Sequence, residues 1–277
     1  MNLFQAGILG AIEGLTEFLP VSSTGHLILA AHAMGLVGDV MNDFEIVIQA
    51  GALLAVLWLY RARVAEVLGG IARPRSRGGS LLMKLAIAFL PAAVVGLAFH
   101  KAIQAHLFGP LPVAIALFVG GVVMVCFERW RRARRGTPAF ESVDAIPLSV
   151  AFAIGLFQCA SLWPGVSRAM VTILGGLLLG CSAVAAAEFS FLLALPTLGA
   201  ATLFDFVKSR DALLSGASVG LEATAVGLAV AAIVAVIAIR SFLRYLTRHG
   251  LEPFGWYRII LGLVLFALLW HHAWGFR

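Results

Sequence analysis

The chain has 277 residues, of which 61% are hydrophobic and 12% charged, with a net charge of +6. Together with a mean hydropathy of +0.98, this excludes an ordinary soluble domain and points to a helical bundle solvated by lipid. Nucleic acid is excluded as a partner by where the positive charge sits: short stretches between apolar runs, where it orients the chain and meets the headgroups of the lipid bilayer.

In chain order, Met1-Asn2-Leu3-Phe4 lacks a basic region and no small-residue cleavage site follows, so no removable signal peptide is expected. The first apolar segment is broken in its middle: Gly10-Ala-Ile-Glu13-Gly-Leu-Thr-Glu17-Phe-Leu-Pro20-Val-Ser-Ser23-Thr-Gly-His26. Glu13 and Glu17 are one turn apart on a helix and share a face. Pro20 ends that helix, and Ser22, Ser23 and Thr24 are candidates to cap a second, short one. A helix starting near Ser22 would put Ser23 and His26 on its first turn, within reach of a nucleophile–base pairing. Apolar runs near 44–60, 81–99 and 111–127 follow, each long enough to cross a bilayer. Gln49 is placed to bond across helices, Lys84 to snorkel to the interface and Pro91 to kink its span. The first basic stretch holds Arg61, Arg63, Arg73, Arg75, Arg77 and Lys84, and its segment Arg73–Ser80 reads as a mobile linker.

Arg129, Arg131, Arg132, Arg134 and Arg135 form a second basic stretch. The broken pattern then returns as Gly155-Leu-Phe-Gln158-Cys-Ala-Ser161-Leu-Trp-Pro164-Gly-Val-Ser167-Arg168, again Gly-x-x-Glu/Gln, a proline, and a serine three residues later. A helix opening at Ser167 would carry Arg168 on its first turn. Three more runs lie near 183–204, 217–239 and 255–274, with Pro196 expected to kink the first and Glu188 to snorkel. Arg240, Arg244, Arg248 and Arg258 make the third basic stretch. Cys126, Cys159 and Cys181 read as small buried packing residues rather than a disulfide set.

If both broken segments return to the side they entered, all three basic stretches, 15 of the 20 Lys and Arg, fall on one face. The positive-inside rule makes that face cytoplasmic and puts both termini outside. The expected fold is therefore an all-α integral membrane protein. It has six transmembrane helices and two re-entrant helix–loop–helix hairpins in a single membrane domain, 1–277. Three spans per half make residues 1–128 and 145–274 inverted repeats, an arrangement that sets a binding site near the bilayer midplane. Two helix N-termini meeting there, with Arg168 beside them, suit an anion carrying phosphate oxygens.

The residues Glu13-Gly-Leu-Thr-Glu17-Phe-Leu-Pro20-Val-Ser-Ser-Thr-Gly-His26 resemble the first motif of the undecaprenyl-diphosphate phosphatase family, the bacitracin-resistance type of membrane phosphatase. Pro164-Gly-Val-Ser167-Arg168-Ala169-Met170-Val-Thr172 resembles its second, Pro-Gly-x-Ser-Arg-Ser-Gly-x-Thr, with Ala169 and Met170 in place of Ser and Gly. The resemblance implies hydrolysis of a polyprenyl diphosphate to the monophosphate and inorganic phosphate, at the periplasmic face of the bacterial inner membrane. It also implies a divalent cation, Mg2+ or Ca2+. On that basis Arg168, Ser167 and Thr172, with the helix ends near Ser22 and Thr24, are expected to hold phosphate oxygens. Ser23 or His26 would attack phosphorus, and Glu17, with Glu13, would place the cation or serve as acid or base. The rival reading is a transporter that moves a polyprenyl phosphate uncleaved, since broken helices in inverted repeats also suit a carrier. The sequence leaves the oligomeric state open, with a homodimer as the candidate assembly.

Overall fold

The computed structural model describes residues 1–36, 38–134, 136–215 and 219–270. Arg135 and the end of the sixth apolar run, 271–274, lie outside them. Among the described residues there are eleven α-helices: α1 (Leu3–Thr16), α2 (Ser23–Ala33), α3 (Asp39–Leu59), α4 (Arg61–Ala72), α5 (Arg77–Leu107), α6 (Pro110–Arg134), α7 (Leu148–Gln158), α8 (Arg168–Leu178), α9 (Ala183–Ser215), α10 (Leu221–Leu246) and α11 (Glu252–Trp270). Among the described residues six are long and apolar enough to cross a membrane: α3, α5, α6, α9, α10 and α11. This is a multi-pass membrane protein. Its outer surface is apolar as lipid requires, with Leu97 and Trp270 more than four-fifths exposed.

Several helices outrun the apolar segments that mark them. At 31 residues, α5 is about 46 Å long. Polar residues at the ends of an apolar run continue the backbone hydrogen bonding, so hydropathy marks the membrane crossing rather than the helix. Both α5 and α9 run unbroken through Pro91 and Pro196, which lie in different spans of their halves, the second and the first.

The pairs α1–α2 and α7–α8 are apolar, but at 14 and 11 residues and 11 and 11 each arm is too short for a core of about 30 Å. Each first arm packs on the second span of the other half, α1 along α10 and α7 along α5. Glycines allow this. A Cβ on Gly10 would collide with the carbonyl of Gly227 in α10, and one on Gly155 with that of Ala88 in α5. α6 pairs with α11, and α3 touches both α9 and α10. Thr202 on α9 donates to Gln49 on α3 at 2.7 Å, the interhelical bond expected of that glutamine.

Three expectations need correction. The stretch 73–80 is a packed turn: α4 resumes the helix at Arg61, Ser76 caps α5, and a Cβ on Gly78 would strike the Glu66 carbonyl. Lys84 is buried, and its Nζ donates to the carbonyls of Asp144, at 2.7 Å, and Val143. It ties down the carbonyls of this short turn instead of snorkelling. Among the cysteines, Cys181 is buried, but Cys126 is exposed on the apolar surface of α6. Beside Lys84, the Asp144 carboxylate binds Arg63 at 2.7 Å and also Arg77. These guanidiniums, Arg77 foremost, hold its carboxyl down at about 2.

Candidate active site

The two breaks meet inside the bundle, and each is shaped by a serine under backbone strain. Ser22 caps α2 with φ 72° and ψ 100°, and Ser167 caps α8 with φ 75° and ψ 114°. Among the described residues these are the only non-glycines with positive φ. Such backbone costs about 1–3 kcal/mol and persists where surrounding packing over-determines it. Each hydroxyl accepts from a backbone N–H three residues on, Gly25 at 3.5 Å and Met170 at 3.3 Å.

This geometry shifts the alignment of the two copies. Counting from the prolines equates Ser23 with Ser167, whereas the strained caps equate Ser22 with Ser167. The second break holds one more residue between proline and cap, and Gly165 takes up the difference at φ 94°. A Cβ at Gly165 would come within 2.8 Å of the Val113 carbonyl on α6, so the turn requires glycine. Ser23 and Arg168 consequently occupy the same place, the first residue of α2 and of α8.

A buried polar chain joins them. Ser23 Oγ donates to Glu17 Oε2 at 2.7 Å, and Arg168 Nη2 donates to Glu17 Oε1 at 3.2 Å. Glu17 and Arg168 are 8% and 7% exposed, so the pair is shielded from water. Arg168 Nη1 donates to Ser190 on α9, to O at 2.8 Å and Oγ at 3.2 Å, while its Nε has no partner. Its guanidinium carbon stands 5.8 Å from the centre of the buried Phe18 ring.

The remaining expected residues divide into those whose hydroxyls are free for a ligand and those already committed. Thr172 Oγ1 donates back to Arg168 O at 2.8 Å and lies 2.7 Å from Ser190 Oγ. It braces Ser190, and through it Arg168. The hydroxyls of Ser22 and Ser167 accept from their caps and each keeps a proton to donate to a ligand, and Thr24 is half-buried on the first turn of α2. His26 does not pair with Ser23. Its Nδ1 is 2.7 Å from the Ser22 carbonyl and its Nε2 is 2.6 Å from the Tyr257 hydroxyl, with the two rings stacked. A ring nitrogen four residues into a helix reaches back to the cap carbonyl more readily than to a side chain on the first turn. Because a carbonyl only accepts, Nδ1 carries a proton.

Glu13, one turn before Glu17 on α1, is 2% exposed and lies in electrostatic reach of Glu17 and Glu45. Among the described residues no protein donor reaches its carboxylate, and no group of three or more His, Cys, Asp or Glu has the spacing of a metal site. Gln158, its counterpart in the second Gly-x-x-Glu/Gln pattern, is fully buried and accepts from Thr197 at 3.3 Å. The second copy thus adds no carboxylate.

Sequence reasoning missed Ser190, Tyr257 and Arg258. Nothing marks Ser190 in an apolar span. Arg258 belongs by sequence to the third basic stretch, yet it is fully buried, six residues beyond the first residue of α11. A charge that far inside an apolar run was the signal available.

A family model described as bacitracin resistance protein BacA matches residues 6–264. A protein of Sorangium cellulosum named undecaprenyl-diphosphatase is 57% identical over 97% of this chain and 87% of its own. Undecaprenyl-diphosphatase 2 of Rhodospirillum rubrum is 49% identical over 97% of this chain and 95% of its own. Undecaprenyl-diphosphatase 1 of Chromobacterium violaceum is 47% identical over 97% of both. The chain therefore belongs to the bacitracin resistance protein BacA family.

Proposed function

We propose that this protein hydrolyses undecaprenyl diphosphate to the monophosphate and inorganic phosphate, with Ser23 as nucleophile and Glu17 as its base. The names of the relatives support the substrate. The observation that carries the chemistry is the 2.7 Å hydrogen bond from Ser23 Oγ to Glu17 Oε2. A nucleophile, a base and an orienting Arg168 stand in one line, as activation of a hydroxyl requires.

In the first step Ser23 Oγ passes its proton to Glu17 as the new O–P bond forms on the terminal phosphorus. The bond from that phosphorus to the bridging oxygen breaks, and the lipid monophosphate leaves. Glu17 hands that proton to the departing monophosphate. Water then attacks the phosphoserine while Glu17 takes a proton from it. The bond from phosphorus to Ser23 Oγ breaks, Glu17 returns the proton to Ser23 Oγ, and inorganic phosphate is released. Arg168 and the free N–H groups at the starts of α2 and α8 neutralise charge on the phosphoryl oxygens. His26 holds the cap of α2 through the Ser22 carbonyl, which supports Glu17 over His26 as the base for Ser23.

A divalent cation fits the carboxylates. Glu13 is buried without a protein donor and Glu17 is its neighbour, so together they would hold a hard ion against the phosphate oxygens. Bound there, the ion would offset phosphate charge.

The short helix pairs, the two strained caps and the exchanged packing of α1 on α10 and α7 on α5 support inverted repeats with re-entrant hairpins. With the basic ends of the spans placed in the cytoplasm, the cleft opens to the periplasm and both termini lie there. A carrier has no use for a hydroxyl paired with a base, which favours hydrolysis over transport.

The test is phosphate release from a polyprenyl diphosphate by the detergent-purified protein, with and without chelator. Wild type should turn over and Ser23→Ala should not. A folded Ser23→Ala protein with full activity would overturn Ser23 as nucleophile, and a wild type inert with every cation would leave transport.

A further inference from the structure

Arg258 is a fully buried guanidinium with no carboxylate in ion-pair distance among the described residues. Burying a cation in this way is costly unless something anionic completes it. Its Nη1 donates to the carbonyl of Pro20 at 3.4 Å. Its Nη2 donates to those of Ala116 at 3.1 Å and Gly165 at 3.0 Å. Pro20 lies in the first break and Gly165 in the second, so a single planar fork spans both turns. The Nε proton has no partner, and the charge lies in electrostatic reach of His26. Gly120 on α6 provides the room, for a Cβ there would collide with Nη2.

We infer that Arg258 is a positioning residue for the phosphatase reaction. It clasps the two breaks so that Ser23 and Arg168 bear on one phosphorus, and its unpaired charge is set against the diphosphate. This rests on the reaction proposed above. Among the described residues no other side chain is bonded to the backbones of both turns. A displacement of about 1 Å between nucleophile and phosphate ligand is enough to cost about 100-fold in rate. Arginine suits the place because its fork is rigid and bidentate, which lysine cannot reproduce.

The test compares Arg258→Lys, which keeps the charge and loses the fork, with Arg258→Met, which loses both. Turnover on a polyprenyl diphosphate is read beside the affinity for inorganic pyrophosphate, measured as thermal stabilisation in detergent. Arg258→Lys should lose about 100-fold in kcat with KM changed little, and should bind pyrophosphate nearly as wild type does. Arg258→Met should in addition bind pyrophosphate at least about tenfold more weakly, the order expected on losing a charged contact. Wild-type kcat in Arg258→Lys would overturn the clasp, and wild-type pyrophosphate affinity in Arg258→Met would overturn the charge. If the arginine variants do not fold, Gly120→Ala carries the test by crowding the guanidinium from α6, with the same fall in kcat expected and unchanged kcat refuting. Should wild type bind pyrophosphate in an Arg258-dependent way yet release no phosphate, the reaction fails while Arg258 keeps its place at the anion.

Discussion

Replacing Glu17 by glutamine is the sharpest probe of the site, because one carboxylate serves two partners. Its Oε2 accepts the Ser23 proton at 2.7 Å and its Oε1 accepts Arg168 at 3.2 Å. The amide is nearly isosteric but cannot take up a proton. Loss of a general base lowers rate by about 10²–10⁴, which at 1.36 kcal/mol per decade is about 3–5 kcal/mol of barrier. The fold should suffer less. A broken buried ion pair costs about 3–5 kcal/mol when its partner is stranded, but Arg168 keeps both bonds to Ser190 and the amide oxygen can still accept one. Glu17→Gln should therefore remain a folded, monodisperse protein in detergent, with phosphate release down by at least about 100-fold. The double variant Ser23→Ala/Glu17→Gln should be no slower than Ser23→Ala alone, since the two groups act as one unit. Turnover of Glu17→Gln within a few-fold of wild type, or losses that multiply in the double variant, would refute the assignment.

His26→Gln and Tyr257→Phe should each slow turnover far less than Ser23→Ala, by about tenfold, and their double variant should lose little more than either. A His26→Gln protein as inert as Ser23→Ala would return the base or the nucleophile to the imidazole. Ser167→Gly relieves the backbone at φ 75° but removes the cap on α8. Thermal stability should stay within about 1 kcal/mol as the two effects offset, while turnover falls because the turn loosens. An unchanged rate would show the strain to be idle. Because Asp144 has its carboxyl lowered from 3.8 to about 2, its ion pairs contribute stability that is complete above the ordinary value and lost as pH falls through the lowered one. Melting temperature should thus drop between about pH 4 and pH 2 in wild type and less steeply in Asp144→Asn; parallel curves would contradict this.

Much of the fold was legible in the sequence because lipid makes hydropathy decisive. Six long apolar helices, the pairs broken near Pro20 and Pro164, and the caps at Ser22 and Ser167 all follow from local rules. A buried Arg168 calls for an anionic partner in so apolar a setting, and the structure gives it Glu17. What escaped was set by packing between distant helices. Ser23 meets Glu17 in preference to His26 because the turn through Phe18 and Pro20 folds the end of α1 back beside the start of α2. Tyr257 and Ser190 reach the site from α11 and α9, 231 and 22 residues from their partners. Helix α4 was hidden because a basic, glycine-rich stretch is also what a loop looks like.

That Ser23 and Arg168 open equivalent helices carries an implication for how such a centre arises. Two identical copies of a single half could assemble only with a pair of serines or a pair of arginines at that spot. Holding one of each demands that such halves be tethered in one polypeptide and free to differ, as Glu13 and Gln158 do. On the reading of the halves as inverted repeats, division of labour between Ser23 as the proposed nucleophile and Arg168 as the proposed anion clamp is something a symmetric ancestor could not possess, and exchanging the two residues would ask how far each half still remembers the other's task.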